Sequence, residues 1–246
     1  QVCYESYGEL NAEKSNAILI CHALTGSAHV AGRHSEDDRK PGWWDEMVGP
    51  GKSFDTNKYF IVCSNILSSC YGTTGPQSTT PVTGEAYNLD FPMTTIYDMV
   101  NVQNELMKHL DVEKWLAVAG GSLGGMQALQ WAVTYPEKVH SCIPIATAAQ
   151  CSPLSIGFNW VGRESIIKDE NFNDGNYPVG TQPEKGLSIA RMIAHMTYLS
   201  DVSMQNKFGR KLQEMDDVNY EFTHNFQVES YLNYQGRQFV NRFDAN

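Results

Sequence analysis

The stretch Leu116-Ala-Val-Ala-Gly-Gly-Ser-Leu-Gly-Gly-Met-Gln127 constrains this chain more than any other. An apolar run, Trp115 to Ala119, reads as a buried strand. It breaks at Gly120-Gly121-Ser122-Leu123-Gly124, and a helix-like run, Met126 to Tyr135, follows at once. This is the Gly-x-Ser-x-Gly nucleophile elbow in the strand–turn–helix context that it needs. A serine forced into a strained turn between strand and helix needs neighbours without side chains on either side. The hydroxyl of Ser122 then projects above the sheet, and backbone N–H groups at the helix start face an incoming oxyanion. The bland alternative is a glycine-rich αβ turn with a bystander serine.

Other apolar runs supply the sheet. Asn16 to Cys21, Tyr59 to Cys63 and Val139 to Ala146 read as buried strands, and Val2 to Tyr7 as an edge or hairpin strand ending at Gly8. Thr95 to Leu110 carries apolar residues at helical spacing, with Asp98 near its start and Lys108 and His109 near its end. Strand–helix alternation of this kind predicts a mostly parallel, doubly wound sheet. Ligands bind at the carboxyl edge of such sheets. His22-Ala-Leu-Thr-Gly-Ser27 lies there, one strand before the elbow, and Leu24 is the expected second oxyanion donor. His22 sits at the strand exit and is read as a loop-fixing residue rather than a base. Ser27 to Asn57 and Ser64 to Pro92 are long connections of the length that tends to carry function. Gly51-Lys-Ser53 lacks the glycine spacing and the preceding strand of a phosphate loop, and reads as a turn.

After Cys151 the texture changes. Ile156 to Lys168, Gly186 to Leu199 and Gln227 to Arg242 are amphipathic at helical period, and no strand-like run reappears. The chain therefore divides into an α/β part, residues 1–150, and a helical part, residues 151–246, expected to cap the pocket.

A hydrophobic share of 41% and a charged share of 19% suit a globular chain, and no apolar run approaches the about 20 residues of a membrane span. The formal net charge of −10 argues against general nucleic-acid binding. Gln1 lacks an initiator methionine before it and no signal peptide is evident, so Gln1 is not expected to be the natural start. The six cysteines show no Cys-x-x-Cys spacing and no adjacent ligand set for zinc, so free thiols, a cytoplasmic setting and no metal are expected.

Seven segments together resemble the homoserine O-acetyltransferases, a family with the α/β-hydrolase fold. They are Cys21-His-Ala-Leu-Thr-Gly26, Trp43-Trp44, Gly49-Pro-Gly-Lys-Ser-Phe-Asp55, Gly72-Thr-Thr-Gly-Pro76, Phe91-Pro-Met-Thr-Thr-Ile96, Gly121-Ser-Leu-Gly-Gly-Met-Gln127 and Ala190-Arg-Met-Ile-Ala-His-Met-Thr-Tyr198. The resemblance implies acetyl transfer from acetyl-CoA, a co-substrate, to L-homoserine in methionine synthesis, with no other cofactor. It also implies a homodimer formed through the helical cap. It makes Ser122 the acylated nucleophile, the N–H groups of Leu24 and Leu123 the oxyanion hole, and Arg191 the carboxylate holder, with Tyr198 lining the site. Arginine suits that role because its planar fork donates two bonds to one carboxylate, and positions 191, 195 and 198 share one side of a helix. Elsewhere such an arginine serves a surface salt bridge. The family's catalytic Asp and His are expected beyond Asn246, as are the last strands, so no residue here is named as triad acid or base. Succinyl transfer, a serine acceptor, a plain esterase and a non-catalytic hydrolase-like scaffold are the rival readings. Arg163, Lys168, Lys207, Arg210 and Lys211 are candidates, as a group, for the CoA phosphates.

Overall fold

The computed structural model describes residues 1–178 and 180–246. They form two compact units, Gln1–Gln150 and Cys151–Asn246.

The first unit is built on a five-stranded sheet. Its strands are β1 (Tyr4–Tyr7), β2 (Ala17–Cys21), β5 (Phe60–Ser64), β6 (Ala117–Gly121) and β7 (Cys142–Ile145), in the spatial order β1-β5-β2-β6-β7. The mostly parallel sheet anticipated from the apolar runs is present: only β1, at one edge, runs antiparallel to its neighbour. Every residue of β2 is buried, because it lies mid-sheet and both its faces are covered. Its alternate residues enter different cores. Ala17, Leu19 and Cys21 pack with Val100, Met107, Trp115 and Trp131, the side on which α1 (Ile96–His109) and α2 (Leu123–Thr134) lie. Ile18 and Ile20 pack with Val30, Val48 and Ile61 on the other side. That second face explains why the long Ser27 to Asn57 connection is ordered. It lends Val30, Val48, Trp44 and Phe54 to the core and carries a small parallel pair, β3 (Val48–Gly49) with β4 (Phe54–Asp55).

The β3–β4 pair was not anticipated, since two-residue strands leave no periodic trace. Between them Gly51-Lys-Ser53 is a turn, as expected: Gly51 N–H donates to Asp55 Oδ1 at 2.8 Å and Lys52 is engaged by Asp45. The expected helix of residues 95–110 is α1. Thr95 is its cap, accepting from Asp98 N–H while the Asp98 carboxylate accepts from Thr95 N–H at 2.8 Å.

The second unit is helical: α3 (Pro153–Ile167), α4 (Glu184–Tyr198), α5 (Asp201–Lys207) and α6 (Gln227–Val240). α4 packs against both α3 and α6. Gly186 N–H donates to Asp169 Oδ2 at 2.7 Å and Ser165 Oγ to the Gly186 carbonyl at 3.0 Å, tying the α3 end to the start of α4. Three of these helices match the amphipathic runs within a few residues. The short α5 was missed because seven residues give barely two turns of pattern. The six cysteines are free thiols, and among the described residues no helix is long and apolar enough to cross a membrane.

Candidate active site

β6 runs two residues further than the apolar pattern suggested, through Gly120 and Gly121, and α2 begins three residues earlier, at Leu123. The whole reversal therefore falls on Ser122, whose backbone has φ 55° and ψ −120°. For a residue with a Cβ this conformation costs about 1–3 kcal/mol and persists only where its surroundings impose it. They do so here. Ser122 N–H donates to the Ile145 carbonyl of β7 at 3.0 Å, and its carbonyl accepts from Thr147 Oγ1 at 2.8 Å and from Met126 N–H at 3.1 Å. The Ser122 side chain is exposed.

The glycines two residues to either side have a steric reason. A Cβ on Gly120 would lie 2.4 Å from the Gly124 backbone, and one on Gly124 would lie 2.0 Å from the Cys21 carbonyl oxygen. The first turn of α2 thus rests directly on the end of β2. Since Cys21 pairs with Gly120 across the β2–β6 register, the loop carrying Leu24 leaves the sheet beside Ser122. Leu123, the first residue of α2, has an N–H with no acceptor inside the helix.

His22 is fully buried and fully engaged. Its Nδ1 donates to the Ala23 carbonyl at 2.7 Å, and its Nε2 accepts from Ile66 N–H at 3.3 Å. One proton per ring satisfies both contacts, so the imidazole is neutral and serves to fix the loop. Burial lowers its pKa from the ordinary 6.5.

Beneath the elbow lies a buried amide chain that sequence reasoning missed. Gln103 of α1 donates to Gln127 Oε1 at 2.7 Å and accepts from Trp131 Nε1 at 2.7 Å, and Gln127 Nε2 reaches the Leu123 carbonyl at 3.3 Å. Gln103 stands at a mid-helix position that heptad-like counting would fill with an apolar residue, which was the available signal. Gln103→Leu strands both Gln127 Oε1 and Trp131 Nε1, and is expected to destabilise the protein by about 2–4 kcal/mol. Urea unfolding measures this.

In the second unit, α4 brings together three of the anticipated residues. Arg191 Nη1 donates to Tyr198 OH at 3.2 Å, and the guanidinium lies 4.7 Å from the ring centre of Phe239 on α6. Burial lowers the pKa of the Arg191 guanidinium from its ordinary value. The His195 ring stands 5.0 Å from Tyr198, and its Nδ1 is 2.9 Å from Tyr231 OH on α6, a partner that sequence reasoning did not find. Burial first, then the charges of Arg191, Lys207 and Arg242, push His195 down to about 4.

Both histidines give stability a pH dependence with one sign. Their folded pKa values lie below the unfolded 6.5, so the unfolded chain takes up protons more readily. Stability is complete above about 6.5 and falls as pH drops from there toward about 4. The hydrogen-bonded Asp45, Asp55 and Asp98, whose pKa values are lowered from 3.8, add losses only below that window. Urea midpoints between pH 7 and pH 4 are expected to decline, and His195→Gln is expected to flatten the decline.

A strained, exposed serine at a strand–helix reversal, with a helix N-terminus behind it and a second loop beside it, defines the α/β-hydrolase class. Residues 16–245 match the family described as alpha/beta hydrolase fold, and the chain belongs to that family. The relatives it is most informatively compared with carry one name. Over its whole length the chain is 59% identical to the homoserine O-acetyltransferase of Deferribacter desulfuricans, covering 65% of that protein. It is 58% identical to the homoserine O-acetyltransferase of Methanococcoides burtonii, covering 50% of it. Among solved structures, the homoserine O-acetyltransferase from Bacillus anthracis superposes with a TM-score of 0.90 at 34% identity, over 99% of this chain and 67% of that one. Esterase E22 superposes with a TM-score of 0.87, also at 34% identity, over 98% of this chain and 68% of that one. The resemblance read from the seven sequence segments is thereby upheld, and the chain spans half to two thirds of the length of these curated relatives.

Proposed function

We propose that this chain carries the nucleophile and the amino-acid-binding helix of an acyltransferase that moves an acetyl group from acetyl-CoA to the hydroxyl of L-homoserine. The observation that carries the reading is Ser122: exposed, at φ 55°, on a glycine-flanked reversal. The identity to part of the homoserine O-acetyltransferases, over the whole of this chain, supports this substrate pair.

In this reading the reaction is ping-pong. A histidine, oriented by an acid, takes the Ser122 proton as Oγ attacks the thioester carbonyl; on the resemblance, both lie in the part of the relatives that this chain does not span. The N–H groups of Leu24 and Leu123 hold the oxyanion, assisted by the α2 dipole. The tetrahedral intermediate collapses, the C–S bond breaks, and CoA leaves as the thiol. Homoserine, its carboxylate held by Arg191 with Tyr198 beside it, then attacks the acyl-serine and restores the Ser122 hydroxyl. The enzyme needs no cofactor beyond its co-substrate and no metal for this chemistry. The resemblance makes the helical part a cap, whose role in this reading is to exclude water so that an alcohol accepts the acyl group. A cytoplasmic homodimer serving methionine synthesis completes the reading. The exposed apolar side chains of α3, among them Leu154, Ile156, Trp160 and Val161, support a dimer formed through this unit.

The natural full-length protein, mixed with acetyl-CoA while free thiol is followed, tests the proposal. Thiol release that requires homoserine for turnover supports it; succinyl-CoA or serine working better would reassign donor or acceptor. The likeness to esterase E22 favours one rival, an esterase, which would hydrolyse acyl esters rapidly with no amino acid present. Arg191→Ala is expected to raise KM for homoserine about 10–100-fold, the loss of a charge-assisted bond pair, while acylation by acetyl-CoA keeps its rate.

A further inference from the structure

A second group of chemically capable side chains lies in the first unit, on residues that the proposed reaction does not use. Glu5 on β1 and His29 and His34 in the loop after β2 each place one potential ligand atom within 4.8 Å of the other two. Glu5 Oε2 accepts from His29 Nδ1 at 3.1 Å, and Oε1 accepts from His34 Nε2 at 2.9 Å. The two imidazole rings face each other with centroids 3.8 Å apart. All three residues line one cleft of about 470 Å³, together with Tyr7, Arg33 and Lys52.

The geometry points to a binding site for a single divalent metal of the zinc class, held by Glu5, His29 and His34, with its fourth position open to the cleft. Tetrahedral zinc with bonds of about 2.0–2.1 Å sets its ligand atoms about 3.3 Å apart. The observed separations of 3.1 and 2.9 Å run to different oxygens of Glu5, and one ligand atom from each of the three residues lies within 4.8 Å of the other two, so a contraction of at most about 1.5 Å brings the set to that spacing. Two imidazoles with one carboxylate suit zinc or a neighbouring transition ion, whereas magnesium and calcium take oxygen donors. Each ring now donates a proton to Glu5. On loading, each moves that proton to its other nitrogen and gives the metal the freed lone pair, so no net proton is lost. His29 Nε2 is buried with no partner among the described residues, so the N–H it carries after loading has no acceptor there, a cost that the metal bond must exceed.

The site is held in place before any metal arrives. Glu5 is fixed by pairing with Cys63 of β5, and Tyr7 OH donates to its carboxylate at 2.5 Å. The same hydroxyl accepts from Val30 N–H at 2.9 Å and Ala31 N–H at 3.2 Å, so strand and loop are already stitched together. His34 is anchored at its backbone by Asp38 Oδ2 at 2.8 Å, while its side chain is exposed enough to adjust. Arg33 and Lys52, the cations of the cleft, are engaged by the Asp38 carbonyl and by Asp45. β1 is separated from β6 by β5 and β2, about 14 Å at ordinary strand spacing. The metal would therefore act as a tie between the edge strand and the 22–57 loop, not as a participant at Ser122.

The test is equilibrium dialysis of the chelator-stripped chain against Zn²⁺, with bound metal counted, alongside Glu5→Gln and His34→Ala. One zinc per chain at micromolar or tighter affinity, weakened at least about 10-fold in both variants, is the expected result. His34→Ala removes a largely exposed side chain, so it remains informative even where Glu5→Gln fails to fold. Co²⁺ substitution separates this site from the exposed thiols of Cys3 and Cys151: nitrogen–oxygen ligation gives a visible spectrum without a thiolate charge-transfer band. Affinity unchanged in His34→Ala, a thiolate band, or no binding below millimolar Zn²⁺ overturns the assignment.

Discussion

Ser122→Ala is expected to lower acetyl transfer by at least ~10³-fold while leaving the protein folded. The variant removes one exposed hydroxyl and no hydrogen bond that shapes the elbow. Those bonds run through the Ser122 backbone, to Ile145, Thr147 and Met126. Alanine meets the same backbone strain as serine, so the stability change is expected to stay within about 1 kcal/mol. Acyl-CoA turnover in the full-length protein, with urea unfolding as control, measures both. Turnover within 10-fold of wild type would show that the elbow is only a turn.

Gly124→Ala is expected to be the most damaging single-methyl change in the first unit. Its Cβ would lie 2.0 Å from the Cys21 oxygen and 3.0 Å from the His22 oxygen, both backbone atoms that cannot rotate away. Relief requires α2 to lift off β2, which breaks the packing of Ala128 and Trp131 beneath it. A loss above about 4 kcal/mol, or no folded protein, is expected. Gly121→Ala is the matched control. There the nearest heavy atom is 3.8 Å away, an ordinary contact, and a loss within about 1 kcal/mol is expected. Equal losses at the two positions would mean that the close approach of helix to strand has been misread.

Apolar runs and helical period located the strands and most helices because burial on a regular element leaves a periodic trace. Their ends moved where another force took over. Trp115 to Ala119 became β6, Ala117–Gly121, because register with β2 and β7 carries the ladder into the glycines despite their poor strand propensity. The Thr95 cap is a finding of the structure, whereas Asp98 is legible at the start of α1 because its place in the first turn is local. Arg191, His195 and Tyr198 are legible as one face for the same reason. Their Tyr231 partner is not, since it comes from another helix 36 residues away. Glu5 and His29 stand 24 residues apart, and only the topology that lays β1 along β5, with the loop from β2 folding back over it, brings them together. The ordered 27–57 loop was hidden too: its core residues Val30, Trp44, Val48 and Phe54 follow no period, because each is placed by its own turn.

Direct mapping of the acyl group tests the central claim. The full-length protein is mixed with acetyl-CoA in the absence of acceptor, quenched in acid, digested and examined by mass spectrometry. Burial pushes the Cys21 thiol up to about 12 and raises Cys63 well above its ordinary value, so neither is a competent rival nucleophile. The exposed thiols of Cys3 and Cys151 are the internal controls. One acetyl group on the peptide containing Ser122, discharged when homoserine is added, is the predicted result. An adduct only on a cysteine, or on Ser122 but indifferent to homoserine, would contradict it.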